Sequence, residues 1–386
     1  MKFRLMTPGP TPVPDETLLE MARPAFYHRS PEFRALLKDV VADLQYVFQT
    51  RNPVCVLTSS GSGGMEAAIA SALNPGEKAL LLTAGRWGER WRGIAKAFGV
   101  NVVAVEAPAG DAVQPEQLAH ALAAHPDAAA VLATHSETST GVRHDIAAFG
   151  RLVANTPALF VVDTISALAV MECRTDDWHI DINVTGSQKA LMMPPGLAFV
   201  SVSDKAWAKI DRSPPDRVFY FDLRRYRAKL ADFDTPFTPA NTLIRAQRAS
   251  LKRLRAEGIE AVWARHARVA AACRAAVQAM GLTVFARQPA DGLTVIAVPD
   301  GIDGTAVLQA MEKAHGVKLA NGQDTLKGRI WRLAHMGYID AAEVLAALAA
   351  LELTLHAAGH PIHVGAGVAE FQRSLAAGTA ATTRQH

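Results

Sequence analysis

Thr185-Gly186-Ser187-Gln188-Lys189-Ala190-Leu191-Met192-Met193-Pro194-Pro195-Gly196 sets one lysine just after an apolar run, with a proline–glycine turn closing the segment. Gly186 and Ser187 precede it and the apolar stretch 190–193 follows, which is poor company for a solvated lysine. Burial disfavours the ammonium, lowers its pKa and frees the amine as a nucleophile. Upstream, Leu159-Phe160-Val161-Val162-Asp163 ends a second apolar run on a carboxylate. On its own Asp163 reads equally well as a helix cap, and Lys189 as a surface residue. An amine and a carboxylate closing two strands become informative only within the chain's wider pattern.

From about residue 53, short apolar runs alternate with helical periods. Strand-like runs fall at 79–83, 101–106, 128–133, 158–162, 181–184 and 197–202, and helical stretches at 88–98, 114–124 and 144–154 separate the earlier ones. This alternation predicts an α/β fold, a mostly parallel sheet with helices on both faces. After about 245 the pattern changes. A long Arg/Ala-rich helix to roughly 280 is followed by runs at 282–286, 293–298 and 329–335 and helices at 304–315 and 340–357. The expected division is an N-terminal arm at 1–15, a large cofactor-binding domain at 16–245, a small α+β C-terminal domain at 246–375 and a frayed tail at 376–386. Prolines at 8, 10, 12 and 14 keep the arm from being helical inside.

Hydrophobic residues make up 49% of the 386 residues and charged residues 20%, an ordinary globular balance. A formal net charge of +3 gives no electrostatic case for nucleic acid or an anionic membrane. Cys55, Cys173 and Cys273 are far apart, without zinc-ligand spacing or a disulfide framework, so no metal is expected. No run reaches the roughly 18 apolar residues of a membrane span, and Thr7-Pro8-Gly9-Pro10 interrupts any signal-peptide core. The expected location is the cytoplasm.

In open α/β sheets ligands bind at the carboxyl ends of strands, and several suggestive groups fall there. The small-residue loop Thr58-Ser59-Ser60-Gly61-Ser62-Gly63-Gly64-Met65-Glu66 opens a helix, so it reads as a phosphate cradle or as a plain capped loop. It is no dinucleotide fingerprint, because the third glycine position falls on Glu66. Trp87, in Gly85-Arg86-Trp87-Gly88-Glu89-Arg90, either stacks on a flat ring or plugs a domain interface. The segment 135–142 (His135 to Val142) offers hydroxyls to a ring substituent or forms a turn. Arg332 shares a strand face with Ile330 and Ala334; its planar fork there needs an anion, either a substrate carboxylate or an internal Asp or Glu. Lys189 with Asp163 is the pair that pyridoxal phosphate requires: an amine to form the Schiff base and a carboxylate to keep the pyridine nitrogen protonated.

These segments occur in an order that resembles the class V pyridoxal-phosphate aminotransferases of fold type I, most closely the branch of alanine–glyoxylate and serine–glyoxylate aminotransferases. The carrying segments are Thr7–Pro12, His28–Phe33, 58–66, Trp87–Arg90, Glu137–Val142, Asp163, Ser187–Gly196, Thr235–Pro239 and Trp331–Gly337, nearly the whole chain. The resemblance implies the following roles. Lys189 is the Schiff-base lysine and Asp163 the partner of the ring nitrogen. Trp87 stacks on the ring, and Thr138 lies near the ring oxygen. Ser60, Gly61, Ser62 and Gln188 contact the phosphate of pyridoxal 5'-phosphate. Thr235 reaches the phosphate of a neighbouring subunit, so a homodimer with shared active sites is implied. Arg332 pairs with the substrate carboxylate. The implied reaction moves an amino group from a small amino acid, alanine or serine, to a 2-oxo acid such as glyoxylate or pyruvate. Alternatives are aspartate or 2-aminoethylphosphonate as donor, a lyase on the same cofactor, and a non-catalytic relative serving as an interaction or electron-transfer subunit.

Overall fold

The computed structural model describes residues 2–214 and 217–383, without the side chains of 379–383. Seven strands form the central sheet in the order Val54–Thr58, Leu197–Val202, Ile182–Gly186, Leu159–Asp163, Ala130–Thr134, Lys78–Thr83, Asn101–Glu106. Leu197–Val202 runs antiparallel to both its neighbours, and every other pair is parallel. The four strands Leu197–Val202, Ile182–Gly186, Leu159–Asp163 and Ala130–Thr134 are buried along their whole length, as a sheet covered on both faces demands. The strand boundaries agree with the apolar runs of the sequence to within a few residues.

Local chemistry explains the covering helices. Ser30 caps Pro31–Phe48 by accepting the Phe33 amide, Pro31 fills the first turn, and Phe33, Leu36, Leu37, Val40, Val41 and Leu44 form the buried stripe. Gly61–Ala72 lies close on the sheet because Gly64 has no side chain. A Cβ there would meet Val184 Cγ1 at 2.8 Å.

The second unit is a three-stranded antiparallel sheet, Leu293–Ala297, Ile330–Ala334 and Ala320–Asn321, backed by Ile259–Ala279, Gly304–His315 and Ala341–Ala357. The run at 282–286 makes only one bridge, Val284 to Ile296, and is not a strand. The helix expected from 245 to 280 is two helices, Asn241–Glu257 and Ile259–Ala279, parted at Gly258 with φ +86°. Periodicity continues through Gly258, whereas the backbone turns there. Ile259, Val262 and Trp263 still pack into the first core, and Val269 and Cys273 pack into the second.

The arm is extended and tied to the second unit. Arg4–Leu5 pairs in parallel with Val317–Lys318, Met6 is buried in the second core, and its carbonyl accepts the Ala334 amide at 2.9 Å. Ala366–Thr383 is helical and buries Phe371, so helix continues beyond 376, where fraying was expected; residues 384–386 lie outside the described residues.

Candidate active site

The carboxyl ends of Val54–Thr58, Lys78–Thr83, Ala130–Thr134, Leu159–Asp163 and Ile182–Gly186 open on one edge of the sheet. The segments holding Ser60, Trp87, Thr138, Asp163 and Lys189 all leave from that edge. Lys189 is held by its backbone. Thr11 donates its amide to the Gln188 carbonyl (3.2 Å) and its hydroxyl to the Lys189 carbonyl (2.9 Å). The Ser187 hydroxyl bonds the Pro194 carbonyl at 2.7 Å, fixing the turn beyond. The Lys189 side chain is 8% exposed and its amine donates to the carbonyl of Pro8. A Cβ on Gly9 would fall on that amine, so only glycine fits where the arm passes over it.

Burial, then the Arg332 charge, pushes the Lys189 amine down to about 8, against the pull of Asp163. Burial also pushes the Asp163 carboxyl up to about 7; Glu137 adds to the rise, while the Ile165 amide, Lys189 and Arg90 oppose it. Asp163 accepts one side-chain hydrogen bond, from the Ile165 amide at 2.8 Å. The site therefore contains a buried carboxylate short of partners and an amine pushed well below the usual lysine range.

Trp87 sits at the start of helix Arg86–Ala97, with the Arg90 guanidinium 4.4 Å from its ring centre. Arg90 also donates to the Ser62 hydroxyl. Ser60 precedes helix Gly61–Ala72 and makes no side-chain capping bond, which leaves its hydroxyl uncommitted to the helix. Gly61 lies where a Cβ would meet Ile165 Cδ1 at 2.6 Å. Among the described residues, Trp87 Nε1 and Gln188 Oε1 are buried without hydrogen-bond partners.

Arg332 is 7% exposed, and burial pushes it down to about 10. It donates Nε to the Asn321 carbonyl (2.9 Å) and Nη1 to the Thr138 carbonyl (3.1 Å). Among the described residues no carboxylate pairs with it. A guanidinium held only by neutral acceptors keeps an unmet demand for an anion.

Thr235 is not brought to this cluster within the single chain. Its hydroxyl donates to the Phe237 carbonyl at 2.8 Å and its carbonyl accepts from Arg29. Two residues without an expected role do join the cluster, Arg90 and Glu137. The signal for Arg90 was its place one helical turn after Trp87. For Glu137 it was the oddity of a charge inside an otherwise small, polar loop.

The family model described as Aminotransferase class-V matches residues 16–341. The chain belongs to the class-V aminotransferases. It is similar to a protein of Synechococcus sp. named soluble hydrogenase, small subunit, with 39% identity over 97% of this chain and 98% of that one. It is also similar to the L-aspartate–glyoxylate aminotransferase of Paracoccus denitrificans, 37% identical over 99% and 98% of the two chains. Among solved structures, pyridoxamine-pyruvate aminotransferase from Mesorhizobium loti matches with a TM-score of 0.93, 32% identity and 97% coverage of both chains. This class-V aminotransferase thus has the fold of the fold type I enzymes.

The residues present fit the family's cofactor. Asp163 accepts a single amide on its carboxylate, and among the described residues Trp87 Nε1 and Gln188 Oε1 are buried without hydrogen-bond partners. In this enzyme Lys189 and Asp163 would hold the ring at its two ends.

Proposed function

We propose that this aminotransferase uses pyridoxal 5'-phosphate to move an amino group from a small amino acid, alanine or serine, to a 2-oxo acid such as glyoxylate or pyruvate. The buried Lys189 amine, whose backbone is tied down by Thr11, and the buried Asp163 carboxyl, which accepts one amide, carry the reading, because an amine and a carboxylate so placed suit the two ends of a cationic ring. When bound, pyridoxal phosphate supplies an aldehyde that takes the amino group and a ring that draws electrons from the substrate α-carbon.

Asp163 holds the proton on the ring nitrogen. A charge pair at about 4 Å is worth on the order of 4 kcal/mol at an effective dielectric of 20. Lys189 Nζ, pushed down to about 8 by burial, would take the proton from the substrate α-carbon. Trp87 would cover one ring face, and the Thr138 hydroxyl would serve the ring oxygen. Ser60, Gly61, Ser62 and Gln188 bind the phosphate, with Arg90 adding positive charge. Arg332 offers its fork to the substrate carboxylate and fixes the α-carbon over the ring.

The family resemblance of Thr235–Pro239 supports a role for Thr235 at the phosphate of a second copy, which would make the working unit a homodimer with shared sites. The cytoplasm is its proposed location. Aspartate enters as a rival donor because of the aspartate–glyoxylate relative. A hydrogenase-subunit role, suggested by the cyanobacterial relative's name, has no use for Lys189, Asp163 and Arg332 together.

The test is single-turnover conversion to pyridoxamine phosphate across alanine, serine, aspartate and 2-aminoethylphosphonate, followed by reoxidation with glyoxylate, pyruvate and 2-oxoglutarate. Alanine or serine should react fastest, with glyoxylate or pyruvate restoring the starting spectrum. A faster reaction with aspartate would move the donor assignment, and no reaction with any amino acid would end it.

A further inference from the structure

Glu137 is fully buried, yet it is neither the partner of the ring nitrogen nor the handle for the substrate. Its Oε2 accepts the amides of Trp87 (2.9 Å) and Gly88 (3.1 Å). Its Oε1 accepts the amide (3.0 Å) and hydroxyl (2.6 Å) of Ser139. The Ser139 hydroxyl in turn accepts the Arg86 amide at 3.1 Å. Three of these N–H groups lie in the first turn of helix Arg86–Ala97, where no intrahelical acceptor exists. Gly85 makes room for the arrangement, since a Cβ there would come within 2.4 Å of Ser139 Oγ and 2.8 Å of Glu137 Cδ. The next residue, Thr138, presents its carbonyl to Arg332.

We propose that Glu137 is a positioning residue, fixing the Trp87 ring and the Arg332 fork in one rigid frame, so that cofactor ring and substrate carboxylate are held in register. This rests on the cofactor reading above. All four bonds are donated to the carboxylate, two to each oxygen, an arrangement that suits an anion. An amide of the same shape would turn its NH2 group against two N–H donors, and a buried donor left facing a donor is costly. The Glu137 charge also favours the cationic form of Arg332.

The experiment compares wild type, Glu137→Gln, Glu137→Asp, Ser139→Ala and Arg332→Ala. The pyridoxal phosphate Kd is read by absorbance and tryptophan quenching, KM for the amino acid by steady-state kinetics, and fold by far-ultraviolet circular dichroism. Glu137→Gln should keep its fold while Kd and KM rise together, each by about 10- to 100-fold, the range for lost hydrogen bonds to a buried charge. Ser139→Ala and Glu137→Asp should shift both in the same sense by smaller factors. Arg332→Ala should raise KM and leave Kd near its wild-type value. A folded Glu137→Gln with both constants within about twofold of wild type overturns the proposal. Should Glu137→Gln not fold, unchanged constants in Ser139→Ala and Glu137→Asp overturn it equally. A wild type that takes up no pyridoxal phosphate overturns the cofactor reading and this inference with it. A wild type that binds the cofactor beside an indifferent Glu137→Gln overturns the inference alone.

Discussion

Asp163 and Asp181 are both buried at the ends of neighbouring strands, and they are treated in opposite ways. Asp181 lies at the entry to Ile182–Gly186, on the edge away from the site. It accepts the Phe160 amide at 2.9 Å and the Ser203 hydroxyl at 2.7 Å, with the Lys205 ammonium 3.3 Å away. Asp163, at the exit of Leu159–Asp163, accepts one amide and faces another acid, so burial pushes it up to about 7. A carboxylate that serves the fold is given its partners by the chain. The carboxylate proposed for chemistry is left short of them, and the proposed ligand would be its missing partner.

That contrast can be broken at several points, and the largest effect belongs to Lys189. Lys189→Ala should cut turnover by about 1,000-fold or more, as the loss of a general base that also anchors the cofactor implies; residual activity above a tenth of wild type would refute its role. Asp163→Asn should still bind cofactor but lose about 100-fold or more in kcat, because the amide cannot hold the ring proton; near-normal transamination would remove Asp163 from the chemistry. Arg332→Ala should raise KM for the carboxylate substrate by about 10- to 100-fold, and an unchanged KM would rule out the clamp.

Asp181→Asn should do the reverse of Asp163→Asn, lowering stability by about 1–3 kcal/mol in denaturant melts with cofactor affinity untouched. Weakened cofactor binding with unchanged stability would erase the distinction. The pH dependence sharpens the comparison further. In the cofactor-free protein burial pushes the Asp163 carboxyl up to about 7, well above the 3.8 of a free aspartate. Folding therefore favours its neutral form: that stability is complete below the unfolded value and is lost as pH rises through about 7. Apo Asp163→Asn should show a flatter stability profile than apo wild type between those two values, and identical profiles would contradict the shift.

Much of this was legible in the sequence because it is local. Lys189, Asp163, Trp87 and Ser60 all follow apolar runs, and the end of a run marks the end of a strand. Arg332 was legible because an arginine on an apolar strand face has few uses. The roles of Glu137 and Arg90 are not legible locally, since their partners come from other elements: helix Arg86–Ala97 for Glu137, and Ser62 for Arg90. Thr11 and Gly9 act on Lys189 from far away in sequence, a contact that no local pattern encodes. The break at Gly258 was hidden because helical periodicity resumes at once on the other side. Helix beyond residue 376 was missed because its alanine-rich composition offers few side chains to bury.

Borohydride trapping gives the most direct test of the central claim. The protein is loaded with pyridoxal phosphate, reduced, digested and mapped by mass spectrometry. One pyridoxyl-modified peptide is expected, carrying the modification on Lys189, and none in protein bleached beforehand with a reactive amino acid. A modification on any other lysine, or a loaded protein with no reducible adduct, would contradict it.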